Sequence, residues 1–267
     1  MIIAQLSDPH IAELSCEFQG LYDTAGKLRL AIDRLNKLTP RPDIAMMTGD
    51  LVNTGTAGEY AILKEILEGA EVPIFLGIGN HDNRDEFQKQ FSDLAYLTHD
   101  DFIQYVVEME DLRLIMLDTN IPGKPQGILC EERLQWLDEK LAEKSDIPTI
   151  IFMHHPPIET GIQSMDAMGL MNKQGFEAVV ARHDNVIRIC CGHLHRTISS
   201  TFGGRQVLVC PSTSHKVMLD LTDDKRLATT NEPSEMQLHL WTGKHLTTHN
   251  IFTAPHDIMW ELEGEMT

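Results

Sequence analysis

Short runs of apolar residues, each ending in a polar loop, recur along most of this chain. Met1–Leu6 reads as a buried strand that opens into SDPH. In Asp23–Leu38 (DTAGKLRLAIDRLNKL) the residues Leu28, Ala31, Ile32 and Leu35 fall at helical spacing, and Pro40 and Pro42 stop the helix. DIAMMTGD is a second buried strand, Glu59–Leu67 a second helix, and VPIFLGIGNHD a third strand running into a polar loop. This β-α-β-α-β order is the signature of parallel strands joined by crossover helices.

FIQYVVEMEDLRLIMLD breaks the rhythm, because two apolar stretches flank Glu110-Asp111 as in an antiparallel hairpin. A helix over Glu131–Lys144, a strand in PTIIFMHHPP, a short helix over Gly175–His183 and a strand in VIRICCGHLH follow. From Thr197 onward short strands alternate with turns at Gly203-Gly204 and Thr242-Gly243, and ELEGEMT reads as an acidic frayed tail. No linker marks off a second domain. The expected organisation is a catalytic core over 1–210, with 211–267 packed on it as a small cap or dimerisation segment ending in the tail.

Composition narrows the class. The chain has 267 residues, 42% apolar and 23% charged, which is ordinary for a globular protein. No apolar run approaches the ~18 residues of a membrane span, and MIIAQLSDPH has no basic leader, so the expectation is a soluble, cytoplasmic protein. Lys and Arg number 22 against 40 Asp and Glu, a formal charge of −18. Such a surface repels nucleic-acid backbones and anionic membranes, which argues against a nuclease or a membrane-surface protein. The five cysteines are odd in number and contain no CxxC. Cys190 and Cys191, adjacent in a strand, point to opposite faces and are expected to be reduced and to pack as small hydrophobes.

The strand ends carry the chemistry. SDPH (Asp8, His10), TGD (Asp50), GNHD (Asn80, His81), MHHPP (His154, His155) and CGHLH (His193, His195) all follow apolar runs. Open α/β sheets bind ligands beyond the carboxyl ends of their strands, so these clusters are expected to converge on one crevice. The ordered set DxH…GD…GNHD…HHP…GHxH resembles that of the calcineurin-like metallophosphoesterases over nearly the whole chain. GDxVN, GNHD, IFMHHPP and the late GHxH bring it nearest to the bacterial glycerophosphodiesterase branch, a relative of the class III cyclic-nucleotide phosphodiesterases.

The resemblance implies a mixed α/β fold, a four-layered α-β-β-α sandwich with a small C-terminal cap, assembled as a dimer or hexamer. Carried over by position, it places one metal on Asp8, His10, Asp50 and His195, and a second on Asp50, Asn80, His154 and His193, with Asp50 bridging. Fe, Mn, Co and Zn all suit such donors. The implied reaction is attack of a metal-bound hydroxide on a small phosphodiester such as a glycerophosphodiester, with Asp50, Asn80 and His81 as the catalytic set. His81 would contact the phosphate or protonate the leaving oxygen, with Asp82 orienting it. His155 would either support a ligand from behind or simply pack, and His215, in PSTSHKV, would face substrate with His81. His239, His245, His249 and His256 are expected at the surface or in the cap. A cyclic-nucleotide (cAMP) phosphodiesterase is the rival activity; a base-stacking aromatic would favour it, and no Tyr or Trp stands beside a motif. A non-catalytic metal-binding protein is the other alternative, and it would have no use for His81.

Overall fold

The elements follow in chain order in a computed structural model that describes residues 1–97, 101–223, 226–257 and 259. The first half holds β1 (Ile2–Leu6), α1 (Glu17–Tyr22), α2 (Thr24–Lys37), β2 (Ile44–Thr48), α3 (Ala57–Leu67), β3 (Ile74–Gly77) and α4 (Arg84–Gln90). Then come β4 (Tyr105–Glu108), β5 (Arg113–Leu117), α5 (Glu131–Glu143), β6 (Thr149–Met153), α6 (Gln163–Asp166) and α7 (Lys173–Val180). The chain continues through β7 (Val186–Cys191), β8 (Ile198–Phe202), β9 (Arg205–Val209), β10 (Lys216–Val217), β11 (Thr229–Thr230), β12 (Glu235–Trp241) and β13 (Leu246–Phe252).

Two large sheets result. One has the order β13-β12-β1-β2-β3, the other β4-β5-β6-β7-β9-β8, and β10 pairs with β11 as a separate ribbon. β1, β2 and β3 run parallel, as do β5, β6, β7 and β9. The expected hairpin around Glu110-Asp111 is β4-β5. Side chains alternate along the second sheet. Leu114, Met116, Ile150, Phe152 and Cys190 join the core shared with β1, β2, α2 and α3. Ile115, Leu117, Ile151, Met153, Ile189 and Cys191 face the core under α5 and α7. Strands covered on both faces need continuous apolar runs, which is what the sequence spells. The layers are therefore helix, sheet, sheet, helix, and the adjacent cysteines pack on opposite faces as free thiols.

Capping explains where the helix boundaries differ from expectation. α3 starts before Glu59 because Thr56 accepts from the Glu59 N–H while the Glu59 carboxylate takes the Thr56 N–H. α7 starts before Gly175 because Asn172 caps it, and it ends at Val180 rather than His183. α2 is capped by Asp23 and buries Leu28, Ala31, Ile32 and Leu35, as its spacing requires. Among the described residues no helix is long and apolar enough to cross a membrane.

The late segment enters the first sheet. β12 lies between β13 and β1, antiparallel to both. Position 239 therefore faces inward. His239 is fully buried, with Nε2 3.1 Å from Gln5 Oε1 and Nδ1 2.8 Å from Thr248 Oγ1, whereas His245, His249 and His256 are exposed. The surface expectation fails for His239 because it treated the late strands as peripheral. The acidic tail ELEGEMT lies outside the described residues.

Candidate metal centre

Asp8 and His10 leave β1, Asp50 leaves β2, Asn80 and His81 leave β3, His154 leaves β6, and His193 and His195 leave β7. The two sheets face each other with these ends together, so the separate loops meet in one cleft. Asp8, His10, Asp50 and His195 present ligand-type atoms within 4.8 Å of one another. His154, His155 and His193 form a second such group. His154 Nε2 is 3.1 Å from Asn80 Oδ1 and 3.3 Å from Asp50 Oδ2, while His10 Nε2 is 3.5 Å from that same oxygen.

The backbone is strained where the cluster forms. Asp8, His10, Asp50, His193 and His195 all have positive φ, at 53°, 46°, 47°, 72° and 54°. Left-handed non-glycine residues cost roughly 1–3 kcal/mol each and persist only where their surroundings over-determine them. Here the turns fold backbone donors around the carboxylates. The His193 N–H lies 3.1 Å from both Asp8 oxygens, and the His81 N–H donates to Asp50 Oδ1 at 2.9 Å, leaving Asp50 Oδ2 for the histidines.

Gly192 makes one of these approaches possible. A Cβ there would collide with Ser7 Oγ and sit 2.9 Å from both Asp8 Oδ2 and the Thr48 carbonyl. Gly192→Ala is expected to cost roughly 1–3 kcal/mol as overpacking. Thermal unfolding of the metal-free protein checks this, and a wild-type melting temperature would refute the packing argument.

The donor set suits cations. His154 Nδ1–H donates to the Thr48 carbonyl (2.8 Å) and His195 Nδ1–H to the His215 carbonyl (2.9 Å), so each turns Nε2 to the cluster. His193 Nε2 and His10 Nδ1 are buried without partners among the described residues. Burial pushes His193 down to about 3 and holds His10 well below its ordinary value, so both rings are neutral and carry a free lone pair. Burial would raise the Asp50 carboxyl, but the histidines around it, His154 foremost, outweigh that and hold it well below the usual carboxylate range. Burial would lower His154, but Asp50 outweighs it and pushes the ring up to about 9, a proton that a bound cation would displace. With the neutral His10 and His193 rings, the carboxylates and an amide oxygen, this donor set suits a cation.

Other positions differ from expectation. Asp82 does not hold His81. It accepts from the N–H groups of Gly79 and Leu51 and from the Tyr60 hydroxyl, bracing the loop, and burial followed by Asp50 pushes it up to about 7. The Asn53 carbonyl orients His81 instead, accepting its Nδ1–H at 2.8 Å. Both ring nitrogens of His155 are engaged, by Thr119 Oγ1 and the Pro125 carbonyl. His215 lies over the cluster, its ring centroid 4.5 Å from that of His195 and 5.3 Å from that of His10.

Aromatic rings that adjoin no motif in the sequence reach the site in the fold. α1 brings Phe18 to 5.4 Å from the His215 ring and stacks Tyr22 on it at 4.6 Å. The i, i+4 spacing of Phe18 and Tyr22 is the sequence signal for this ring cluster, of which Phe18 and His215 line the cleft. Above the cluster is a cavity of about 230 Å³, with His10, Asp50, Asn80, His81, His193 and His195 on its floor and Phe18, Met165, Met168 and Leu227 on its sides.

Comparison with known proteins agrees with this geometry. The family model described as calcineurin-like phosphoesterase matches residues 1–197. The chain is 35% identical to a probable glycerophosphodiester phosphodiesterase, GpdQ, of Arcobacter nitrofigilis, over 94% of this chain and 93% of that one. It is 34% identical to a probable cyclic nucleotide phosphodiesterase of Rhodopseudomonas palustris, over 86% of this chain and 84% of that one. In fold it is similar to a dimetal phosphatase from Danio rerio, with a TM-score of 0.65 at 15% identity, covering 95% of this chain and 99% of that one. With these sheets, this cluster and these relatives, the chain belongs to the calcineurin-like phosphoesterase family.

Proposed function

We propose that the chain hydrolyses small phosphodiesters, glycerophosphodiesters foremost, at a pair of metal ions. Asp8, His10, Asp50 and His195 hold one ion, and Asp50, Asn80, His154 and His193 hold the other, with Fe, Mn, Co or Zn as occupants. The observation that carries this reading is Asp50 Oδ2, which lies 3.5 Å from His10 Nε2 and 3.3 Å from His154 Nε2. One carboxylate oxygen set between two groups of donors is what a shared ligand requires. When bound, the ions supply charge neutralisation at the phosphoryl oxygens and lower the pKa of water so that it attacks at neutral pH.

The chain's own residues do the rest. His81, its Nδ1–H fixed on the Asn53 carbonyl, presents Nε2 to the cleft, where a proton can pass to the departing alcohol oxygen. Asp50 and the Asn53 carbonyl outweigh burial and raise the His81 pKa, which favours the protonated ring that role needs. Phe18, Met165 and Met168 exclude water from the sides of the cleft. Residues after 210 contribute the rim through His215, Val217, Leu227 and Thr229, which supports treating 211–267 as the segment that sets substrate choice. Assembly as a homo-oligomer in the cytoplasm completes the proposal, and light scattering of the purified protein reads the assembly state.

Two observations bear on the substrate. A cavity of about 230 Å³ is smaller than the ~300–1,000 Å³ usual for larger organic ligands, and this favours a diester with small arms. The rings of Phe18 and His215, which line the cavity, favour the second reading, a cyclic nucleotide whose base stacks there. A kcat/KM panel with defined metals separates them. Glycerophosphoethanolamine is expected to exceed cAMP by at least about tenfold, or roughly 1.4 kcal/mol of transition-state discrimination. A preference for cAMP would transfer the assignment to the second reading.

A further inference from the structure

A second cavity, of about 710 Å³, lies across the 121–126 loop from the metal centre. Pro125 lines the first cavity, while Lys124 and Gln126 line the second. Its charge is opposite to that of the chain. Arg84, Lys124 and Arg133 line it and no carboxylate does among the described residues, although the sequence holds 40 acidic residues against 22 basic ones.

The arginines are fixed and incompletely neutralised. Asp118, fully buried beneath them, accepts from Arg84 Nε at 2.7 Å and Arg84 Nη2 at 3.1 Å, and lies 3.6 Å from Arg133 Nη1. Backbone N–H groups of Ile103 and Asn120 fill its remaining acceptor positions. One carboxylate thus balances one guanidinium, and the second guanidinium and the Lys124 ammonium are left over. Lys124 has no ion-pair partner among the described residues, and Arg84 Nη1 and Arg133 Nη2 have no hydrogen-bond acceptor there. Both guanidinium carbons sit over the Phe102 ring, at 5.5 and 4.5 Å from its centroid, which fixes the planes of the two forks. The rest of the wall, including Ile121, Ile128 and Met171, is apolar.

We infer that this cavity is a binding site for an organic oxyanion, a phosphate or carboxylate group carried on an apolar body. The forks and Lys124 take the oxygens by charge-assisted hydrogen bonds, and the apolar wall takes the remainder. The occupant lies against the catalytic loop. Arg84 and Asn120 also line a groove with Asn80 and His81, and Asn120 Nδ2 donates to the Gly79 and Asp82 carbonyls.

Calorimetric titration of benzenesulfonate into the metal-loaded protein tests the site, since a sulfonate is a poor metal ligand. One saturable binding event is expected. Benzyl alcohol, with a similar ring and no charge, is expected to bind at least about tenfold more weakly, and Lys124→Glu to weaken benzenesulfonate by a similar factor. Lys124 is exposed, so its variant keeps the fold, and hydrolysis of bis(p-nitrophenyl) phosphate by Lys124→Glu is expected to match wild type. Arg84→Gln, which leaves Asp118 paired with Arg133, is expected to weaken binding as well. Absence of saturable binding, equal affinity for the neutral probe, or indifference to Lys124→Glu would overturn the inference. So would loss of binding when the metals are chelated, which would place the anion at the metal centre.

Discussion

Asp50→Asn is expected to lower kcat/KM for bis(p-nitrophenyl) phosphate about a thousandfold or more, or roughly 4 kcal/mol of transition-state stabilisation. Asparagine preserves the shape of the side chain, and its remaining oxygen still accepts the His81 N–H that Oδ1 now takes at 2.9 Å. What changes is Oδ2, the oxygen 3.5 Å from His10 Nε2 and 3.3 Å from His154 Nε2. An NH₂ group there turns protons toward both donor sets and removes the charge that a shared cation ligand supplies. Metal content, measured by elemental analysis after dialysis, should fall together with turnover. An Asp50→Asn protein that keeps two metals and full activity would sink the assignment of Asp50.

His81→Ala is expected to act on chemistry without emptying the centre. Its Nδ1 is committed to the Asn53 carbonyl and its Nε2 faces the cleft, so none of the cluster's close contacts runs through its ring nitrogens. General acid catalysis contributes typically 10²–10⁴-fold, and a loss of that order in kcat is expected for diesters with alkyl leaving groups. p-Nitrophenolate departs without a proton, so the loss with that leaving group should be at least about tenfold smaller. Equal losses for both leaving groups, with metal content unchanged, would reject the acid role and leave His81 as a phosphate contact only.

The strand-end residues were legible because each closes an apolar run, and parallel strands must deliver their ends to one edge. The convergence of Asp8, Asp50, Asn80, His154 and His193 follows from that geometry without any knowledge of the loops. What stayed hidden depends on pairings that a local pattern does not encode. His239 looks like any histidine in an alternating strand until β12 is seen to pair with β1, which turns it inward. Asp82 stands next to His81 in sequence, yet the turn sends its carboxylate back to Gly79 and Leu51, and the more distant Asn53 takes the ring. α1 is six residues long and its N-cap, Cys16, makes no side-chain capping bond, so nothing at the boundary announces the helix that carries Phe18 and Tyr22. The cavity around Arg84, Lys124 and Arg133 drew on residues from separate segments, none of them in a motif.

The pairing of β1 with β12 also governs the order in which the molecule is completed. Ile2 pairs with Leu240 and Gln5 with Gln237, so β1 has one open edge until the chain has been made as far as β12. Contacts of such long sequence separation are costly in loop entropy and slow to form. In the meantime an apolar strand with an unsatisfied edge invites association with other chains. Fragments that stop near residue 210 would carry nearly every side chain of the metal cluster and still lack the strand that closes the sheet beneath it. Elongation speed between β9 and β12, and protection of nascent chains during that interval, therefore bear directly on the yield of folded protein.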